Sequence, residues 1–361
     1  MRAPVAYDRV LTDFAAAKPA ALARVVSIVE NRRAGFEDLL ASLHTRVGQA
    51  RRIGITGPPG AGKSTLTTCM ATLYRSAGFR VGIIAVDPTS TFTGGALLGD
   101  RVRMESVALD PGIFIRSMAT RGSLGGLASA TRDVADVLDA YGFERILIET
   151  VGVGQSELDI ARTADSVLVV LVPESGDSIQ TMKAGVMEIA DVFAINKADR
   201  PGADRLRQEV ELMLGLRMGR VFRNIPAHHG VSLGSVNSPP SASATATVSK
   251  ADEWTPPVLA TVAARHEGIA AVTESLDRHF DYLERSGALR ERRRNRLRER
   301  VVEAAERQIR QKLWNNPDTN AWLEDRLPDI ESGVRNPFAV AEDLLKRSGE
   351  LLAQSTITPT H

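Results

Sequence analysis

The chain has 361 residues, with 45 Lys and Arg against 44 Asp and Glu, so its formal net charge is +1. This balance argues against a dedicated nucleic-acid binder, because such proteins usually carry a clear basic excess. Hydrophobic residues make up 43% of the chain, a content typical of a globular protein with one large core or two domains.

A single cysteine, Cys69, excludes an intramolecular disulfide framework, as expected in a reducing compartment. No apolar run approaches the ~20 residues needed to span a bilayer. The first residues also lack the apolar core of a signal peptide. We therefore expect a cytoplasmic protein with no membrane or nucleic-acid partner.

The first 50 residues are predicted to form an N-terminal helical extension. Apolar residues recur there at helical spacing, in groups around Phe14, Val25 and Leu39. The polar run Asn31-Arg32-Arg33 indicates a break between helices. We expect this extension to pack on the domain that follows.

Residues 51–286 alternate between strand-like apolar runs and helix-like stretches. Strands are predicted at 53–56, 81–86, 113–116, 145–149, 166–172, 192–196 and 257–262. Several runs are apolar on both faces, as in a buried, mainly parallel sheet. The pattern predicts an α/β fold, a doubly wound sheet whose ligand lies at the carboxyl ends of the strands.

Two further segments differ in composition from this domain. Residues from about 223 to 254 include a Pro-, Ser-, Ala- and Thr-rich run without periodicity, which indicates a flexible surface insertion. Residues 287–361 begin with a long helix that carries one apolar stripe, followed by short helices predicted at 322–327 and 337–345. An isolated stripe needs something to pack on, so a second subunit is a natural candidate.

A glycine-rich loop follows the first predicted strand and precedes a helix. Its spacing is G-x-x-x-x-G-K-S, which is the phosphate-binding P-loop pattern in the required strand–loop–helix context. The glycines let backbone N–H groups turn towards phosphates, Lys63 would reach the β- and γ-phosphates, and Ser64 would ligate Mg²⁺. The nucleotide-binding residues predicted here are Gly57, Pro58, Pro59, Gly60, Ala61, Gly62, Lys63, Ser64 and Thr65.

The tetrapeptide Asn196-Lys197-Ala198-Asp199 follows another predicted strand. The Asp199 carboxylate can accept hydrogen bonds from guanine N1–H and the exocyclic amine, a donor pair that adenine lacks. Asn196 can meet the other edge of the base and tie this loop to the P-loop. The Lys197 stem can cover the ring plane. The pattern favours GTP over ATP.

Acidic residues lie at strand ends or in loops around the P-loop. Glu149 ends a strand before Gly152, whose N–H can contact the γ-phosphate, Asp87 ends another strand, and Asp100 follows a glycine-rich loop. Three carboxylates near one P-loop favour a Mg²⁺ site over separate surface charges. Either Asp87 or Glu149 could position the attacking water.

These motifs together resemble one family of GTPases. The strings V-D-P-T-S-T, T-G-G-A-L-L-G-D-R-x-R-M, E-T-V-G-V-G-Q-S-E and N-K-A-D follow the P-loop in order. The chain is similar over nearly its whole length to the MeaB/ArgK/MMAA family, GTPase chaperones of adenosylcobalamin-dependent acyl-CoA mutases. The resemblance implies GTP/GDP and Mg²⁺ as cofactors, a mutase client and a homodimer formed through the C-terminal arm.

The resemblance also implies residue roles. Lys63, Ser64 and Thr65 match the phosphate and Mg²⁺ loop of the family, and Asp87, Asp100 and Glu149 match its acidic Mg²⁺ residues. A switch that communicates with the mutase is matched by residues 174–183, where the corresponding polar positions are Asp177, Gln180 and Lys183. The implied output is gated transfer of adenosylcobalamin to the mutase and removal of damaged cobalamin, with the cobalamin adenosyltransferase as a further partner.

One departure concerns the loop that closes on guanine. The Ser-Ala dipeptide of the family is Val262-Ala263 in this chain. The Ala263 N–H could still serve guanine O6, but the side-chain support of the serine is lost. We therefore expect an effect on nucleotide affinity and none on nucleotide identity.

Three alternatives remain open. A nickel-delivery GTPase metallochaperone would need a Cys/His constellation, and this chain has one cysteine and six scattered histidines. A kinase of a transport-system binding protein would transfer phosphate to another protein, whereas the switch-like loops favour hydrolysis. A nucleotide-gated scaffold would bind GTP without turnover. No glutamine directly follows Gly152, so we expect slow intrinsic hydrolysis that a partner accelerates.

Overall fold

The computed structural model describes residues 7–87, 104–119, 126–150, 160–173, 186–217 and 253–354. By their internal contacts, the residues fall into two compact units, Met1–Arg290 and Glu291–His361. The low-complexity part of the predicted insertion lies outside the described residues.

The first unit is built on a seven-stranded parallel sheet with the order β3-β2-β4-β1-β5-β6-β7. The predicted α/β doubly wound fold is therefore confirmed, and each of the seven predicted strands is present. Strand bounds are β1 Arg51–Thr56, β2 Val81–Asp87, β3 Ile113–Ala119, β4 Arg145–Thr150, β5 Ser166–Leu171, β6 Val192–Ile195 and β7 Val258–Ala260.

Helices cover both faces of this sheet. In chain order they are α1 Asp8–Ala15, α2 Pro19–Glu30, α3 Phe36–Leu43, α4 Lys63–Ser76, α5 Glu105–Ala108, α6 Gly126–Tyr141, α7 Val186–Ile189, α8 Ala203–Arg217 and α9 Ile269–Ser286. The chain continues with α10 Ala288–Trp314, α11 Pro317–Glu324, α12 Leu327–Glu331 and α13 Pro337–Gln354.

The sheet separates two hydrophobic cores because its strands are apolar on both faces. One core joins alternate strand residues to α6, α8 and the N-terminal helices, with Val134, Phe193 and Val210 fully buried. The other joins the opposite strand face to α4 and α9, where Leu66 and Val272 are fully buried. In β4 and β5 every residue is buried, and these two strands flank β1, which leads into the predicted P-loop.

The helices α1–α3 pack on the outer face of α6. Phe14 and Tyr141 meet edge to face with ring centroids 5.0 Å apart, which is a favourable aromatic geometry. Glu30 at the end of α2 forms an ion pair with Arg116 of β3. Helix α2 ends at Glu30, at the break that the following polar run predicts.

A cluster of buried charges fixes the turn that leads from this extension into β1. Asp139 of α6 accepts hydrogen bonds from the backbone N–H groups of Gly48, Gln49 and Ala50 at 2.8, 3.1 and 3.0 Å. It also pairs with Arg52, which contacts Asp136 at 2.7 Å. Burial alone would lower the pKa of Arg52, but the nearby carboxylates outweigh it and hold that pKa above its usual range.

The second unit has its own small core, formed by Leu313, Trp322, Val340 and Leu344. The single short helix predicted over 322–327 is wrong, because α11 begins earlier and a separate helix α12 follows it. Each of these helices carries a proline in its first turn, where the missing N–H costs nothing. The last helix, α13, also extends beyond its predicted end at residue 345.

Within the described ranges, no helix is both long and apolar enough to cross a membrane.

The buried Asp139 cluster generates a prediction for stability. Asp139→Asn places an amide NH₂ against backbone donors, so we expect the free energy of unfolding to fall by about 3 kcal/mol. Calorimetric unfolding of the variant should show a lower midpoint, and amide exchange at residues 48–50 should become faster. Glu209→Gln, which removes one charge from an exposed Arg205 pair, is the matched control and should cost less than about 1 kcal/mol. Equal shifts in the two variants would contradict this role.

Candidate functional site: a P-loop and a guanine-type loop

The predicted P-loop connects β1 to α4 at the carboxyl edge of the sheet. Two of its glycines are required by close approach as well as by positive φ angles. A Cβ on Gly57 (φ +140°) would lie 2.0 Å from the carbonyl oxygen of Val170 in β5. A Cβ on Gly62 (φ +85°) would lie 2.4 Å from Nδ2 of Asn196. The loop therefore fits against its neighbours only with glycine at these positions.

Lys63 is the first residue of α4, and its side chain is buried inside the loop. The ammonium donates hydrogen bonds to the carbonyl oxygens of Gly57 and Pro58 at 2.8 and 2.9 Å. These contacts place a positive charge at the start of a helix, whose exposed N–H groups already favour an anion. The arrangement suits the phosphates of a nucleotide, as the sequence pattern predicts.

Ser64 and Glu149 come together beside this loop. The Ser64 hydroxyl donates a 2.6 Å hydrogen bond to Oε1 of Glu149. Glu149 is a buried residue near the end of β4. A hydroxyl and a carboxylate are the hard oxygen donors that Mg²⁺ prefers, so these two residues fit the predicted metal. With a nucleotide bound, a Mg²⁺ ion held by Ser64 and Glu149 would neutralise part of the phosphate charge.

The other predicted metal and switch residues are only partly described. Asp87 is the last residue of β2, and its backbone is paired with Ala119 of β3. Asp100 and Gly152 lie outside the described residues, as do the predicted switch positions Asp177, Gln180 and Lys183.

Asn196 follows β6 and joins three segments through its buried side-chain amide. Nδ2 donates a 2.8 Å hydrogen bond to the carbonyl of Ala61 in the P-loop. Oδ1 accepts from the Thr261 hydroxyl at 3.2 Å and from the Ala263 N–H at 3.1 Å. One side chain thus fixes the phosphate loop relative to two residues of the loop after β7.

The rest of the N-K-A-D segment is held by backbone hydrogen bonds and one ion pair. The Ala198 N–H donates to the carbonyl of Thr261 at 3.0 Å, and the Arg200 N–H donates to the carbonyl of Lys197 at 3.0 Å. Lys197 adopts a left-handed backbone conformation with φ 56°. Asp199, partly exposed, forms an ion pair with Arg265 at 3.1 Å. A partly exposed carboxylate therefore lies beside the loop that follows β7.

Ala263 has a different contact from the one expected. Its N–H, predicted to reach guanine O6, donates to Oδ1 of Asn196 in this structure. Its carbonyl accepts a hydrogen bond from the Cys69 thiol of α4. Burial raises the pKa of that thiol, so it stays protonated at neutral pH. The contact of Ala263 with guanine remains a prediction.

Sequence reasoning missed two residues of this site, Thr261 and Arg265. Thr261 precedes the Val262-Ala263 dipeptide and could have been found as a hydroxyl adjacent to the guanine-closing loop. Arg265 carries no motif signal of its own, because its role depends on the conformation of a loop that brings it back to Asp199.

The sequence model of a family described as methylmalonyl-CoA mutase-associated GTPase MeaB matches residues 22–318. Among curated relatives, a Pyrococcus abyssi protein provisionally named a GTPase is 48% identical over 78% of this chain and 78% of its own length. The Escherichia coli GTPase ArgK is 30% identical over 88% of this chain and 89% of its own length. A mouse protein named methylmalonic aciduria type A homolog, mitochondrial, is 29% identical, with 94% and 79% coverage.

A solved structure shares the fold. A crystal structure described as a LAO/AO transport system kinase superposes with a TM-score of 0.64 and 24% sequence identity, covering 96% of this chain and 98% of that chain. At this identity the likeness shows the fold alone. The family match spans most of the chain and includes both the P-loop and the N-K-A-D loop. The chain therefore belongs to the MeaB family of P-loop GTPases.

Proposed function

We propose that this GTPase is a nucleotide-operated switch that gates adenosylcobalamin loading, protection and reactivation of an acyl-CoA mutase. Methylmalonyl-CoA mutase is the client that the family description favours. The observation that carries the switch is the contact of Asn196 with Ala61. This hydrogen bond joins the N-K-A-D loop directly to the P-loop, so both loops would contact the same nucleotide.

In this proposal each group of residues has a separate task. The P-loop backbone and Lys63 bind the phosphates, and Ser64 and Glu149 hold Mg²⁺ with Asp87 and Asp100. Asp199 selects guanine by the donor pair that adenine lacks, Asn196 ties the base loop to the P-loop and Lys197 covers the ring plane. Gly152 and the carboxylates at the strand ends would sense the γ-phosphate and position water.

The partner would act through the predicted switch at residues 174–183. GTP orders the loops around the phosphates and hydrolysis releases them, so the mutase can read the nucleotide state. Since no glutamine directly follows Gly152, turnover alone would be slow, with the mutase supplying missing contacts. The cobalamin adenosyltransferase is a further proposed partner, and the proposed location is the cytoplasm.

We also propose the three-part division of the chain, with limits at residues 1–50, 51–286 and 287–361. In the last part, Leu297, Val301 and Ile309 of α10 are 50%, 69% and 53% exposed. Apolar side chains with this much solvent exposure support the proposal that the arm pairs with a second copy of the chain, which would cover them.

The nickel-delivery alternative gains no support from Cys69. A thiolate is the form that binds metal, whereas this thiol is buried, protonated and engaged with a backbone carbonyl. The kinase alternative is likewise not favoured by any contact in the described site.

Guanine selection by Asp199 can be tested by changing the base as well as the residue. Asp199→Asn replaces one acceptor oxygen by a donor, so we expect GTP affinity to fall by about 100-fold. Xanthosine triphosphate, which has a carbonyl where guanine has its amine, should bind the variant better than it binds wild type. Equilibrium titration of the wild type and the variant with each nucleotide measures this change in base preference. Asp204→Asn on α8 is the matched control. Equal effects of the two variants on GTP affinity would contradict the assignment of Asp199 as the guanine reader.

The mutase assignment can be tested by turnover. GTP hydrolysis, with ATP as control, should be slow alone and faster with purified methylmalonyl-CoA mutase. Lys183→Ala should keep the basal rate and lose the stimulation. Lys18→Ala, which changes an exposed lysine between α1 and α2, should keep both. Turnover that no adenosylcobalamin-dependent mutase changes would reject the client and leave the GTPase standing.

A further inference from the structure

The ion pair between Arg265 and Asp199 joins the loop after β7 to the N-K-A-D loop. Nη2 of Arg265 is 3.1 Å from Oδ2 of Asp199, with side-chain exposures of 60% and 35%. We propose that Arg265 is a positioning residue for base recognition, which holds the Asp199 carboxylate in the orientation that reads guanine. This inference rests on the proposed role of Asp199 as the guanine reader.

The loop that carries Arg265 is held by its own backbone. Val262 and Glu267 form two antiparallel hydrogen bonds, at 3.1 and 3.2 Å, that close the loop. The Arg265 N–H donates to the carbonyl of Val262 at 2.9 Å within this turn, and His266 takes a left-handed conformation that ends it. The guanidinium therefore starts from a fixed backbone position.

The loop that carries Asp199 is fixed relative to the Arg265 loop. The Ala198 N–H bonds to the carbonyl of Thr261 at 3.0 Å, and Asn196 accepts from the N–H of Ala263. The Arg265–Asp199 contact is thus the outermost of a set of contacts that join these two loops.

The chemistry of the carboxylate leaves room for both partners. An ionised carboxylate offers about four lone-pair positions, and guanine uses two donors against it. One N–H from Arg265 on Oδ2 occupies a single position, so the base can still bind both oxygens. The arginine restricts rotation of the carboxylate before the base arrives, which lowers the entropy lost on binding.

Val262, in the same loop, offers no donor to the Asp199 carboxylate. Its side chain has no polar atom and is buried. Arg265, three residues later in the same turn, supplies a donor from the same loop. Exposed ion pairs add little to the free energy of folding, so the effect should appear in nucleotide binding and not in stability.

The test compares Arg265→Ala and Arg265→Lys with a matched control. Arg207→Ala removes another exposed arginine whose carboxylate partner, Glu211, lies 2.9 Å away on α8. Affinities of the full-length variants for Mg·GTP and Mg·ITP are measured by competition with a fluorescent GDP. Inosine has N1–H but no exocyclic amine, so it makes one fewer hydrogen bond to Asp199.

We expect Arg265→Ala to weaken GTP binding roughly five- to tenfold, and ITP binding by a smaller factor. Arg265→Lys should recover part of the loss because it restores a cationic donor, and Arg207→Ala should change neither affinity. The thermal unfolding midpoint should be the same in all variants. In an Asp199→Ala background, Arg265→Ala should cause no further loss, since the carboxylate it positions is gone.

Three outcomes would overturn the inference. Arg265→Ala could behave like Arg207→Ala, or it could weaken GTP and ITP by the same factor. It could also strengthen GTP binding, which would mean that the arginine competes with the base for the carboxylate. The failure of the underlying proposal looks different: Asp199→Ala alone would then leave GTP affinity unchanged.

Discussion

The side-chain amide of Asn196 is the contact on which the site depends. It donates to the carbonyl of Ala61 in the P-loop and accepts from the N–H of Ala263 after β7. Gly62 must lack a side chain so that this amide can approach, since a Cβ there would lie 2.4 Å from Nδ2. A buried amide that makes three hydrogen bonds is costly to rearrange. The phosphate loop and the base loop therefore form one recognition surface.

The opposite edge of the sheet keeps this surface in place. Arg52 at the start of β1 lies among buried carboxylates of α6, and the buried His279 of α9 bridges Asp191 and Ser166, at 3.2 and 2.8 Å, where β5 and β6 begin. Buried polar groups with satisfied partners fix the strands along their axes. The carboxyl ends of these strands, which carry the P-loop and Asn196, are thereby set relative to each other.

Sequence reasoning reached the fold and the motifs because both are local patterns. The apolar runs predict the strands, and the loop with Lys63 lies between a strand and a helix as its pattern requires. The pairing of Asp199 with Arg265 could not be predicted, since it depends on the shape of a turn between distant segments. The two short helices after Asn316 were also missed as separate elements, because prolines in their first turns mark helix starts that apolar periodicity alone does not show.

The measurement that tests the account most directly is equilibrium binding of GTP and ATP, with Mg²⁺, to the wild-type chain and to Asn196→Ala. A site built to satisfy a donor pair should reject the base that lacks it by several orders of magnitude, roughly 10⁴-fold. We therefore predict tight GTP binding and far weaker ATP binding in the wild type, with the preference for GTP largely lost in the variant. Equal affinities of the wild type for the two nucleotides would contradict the account.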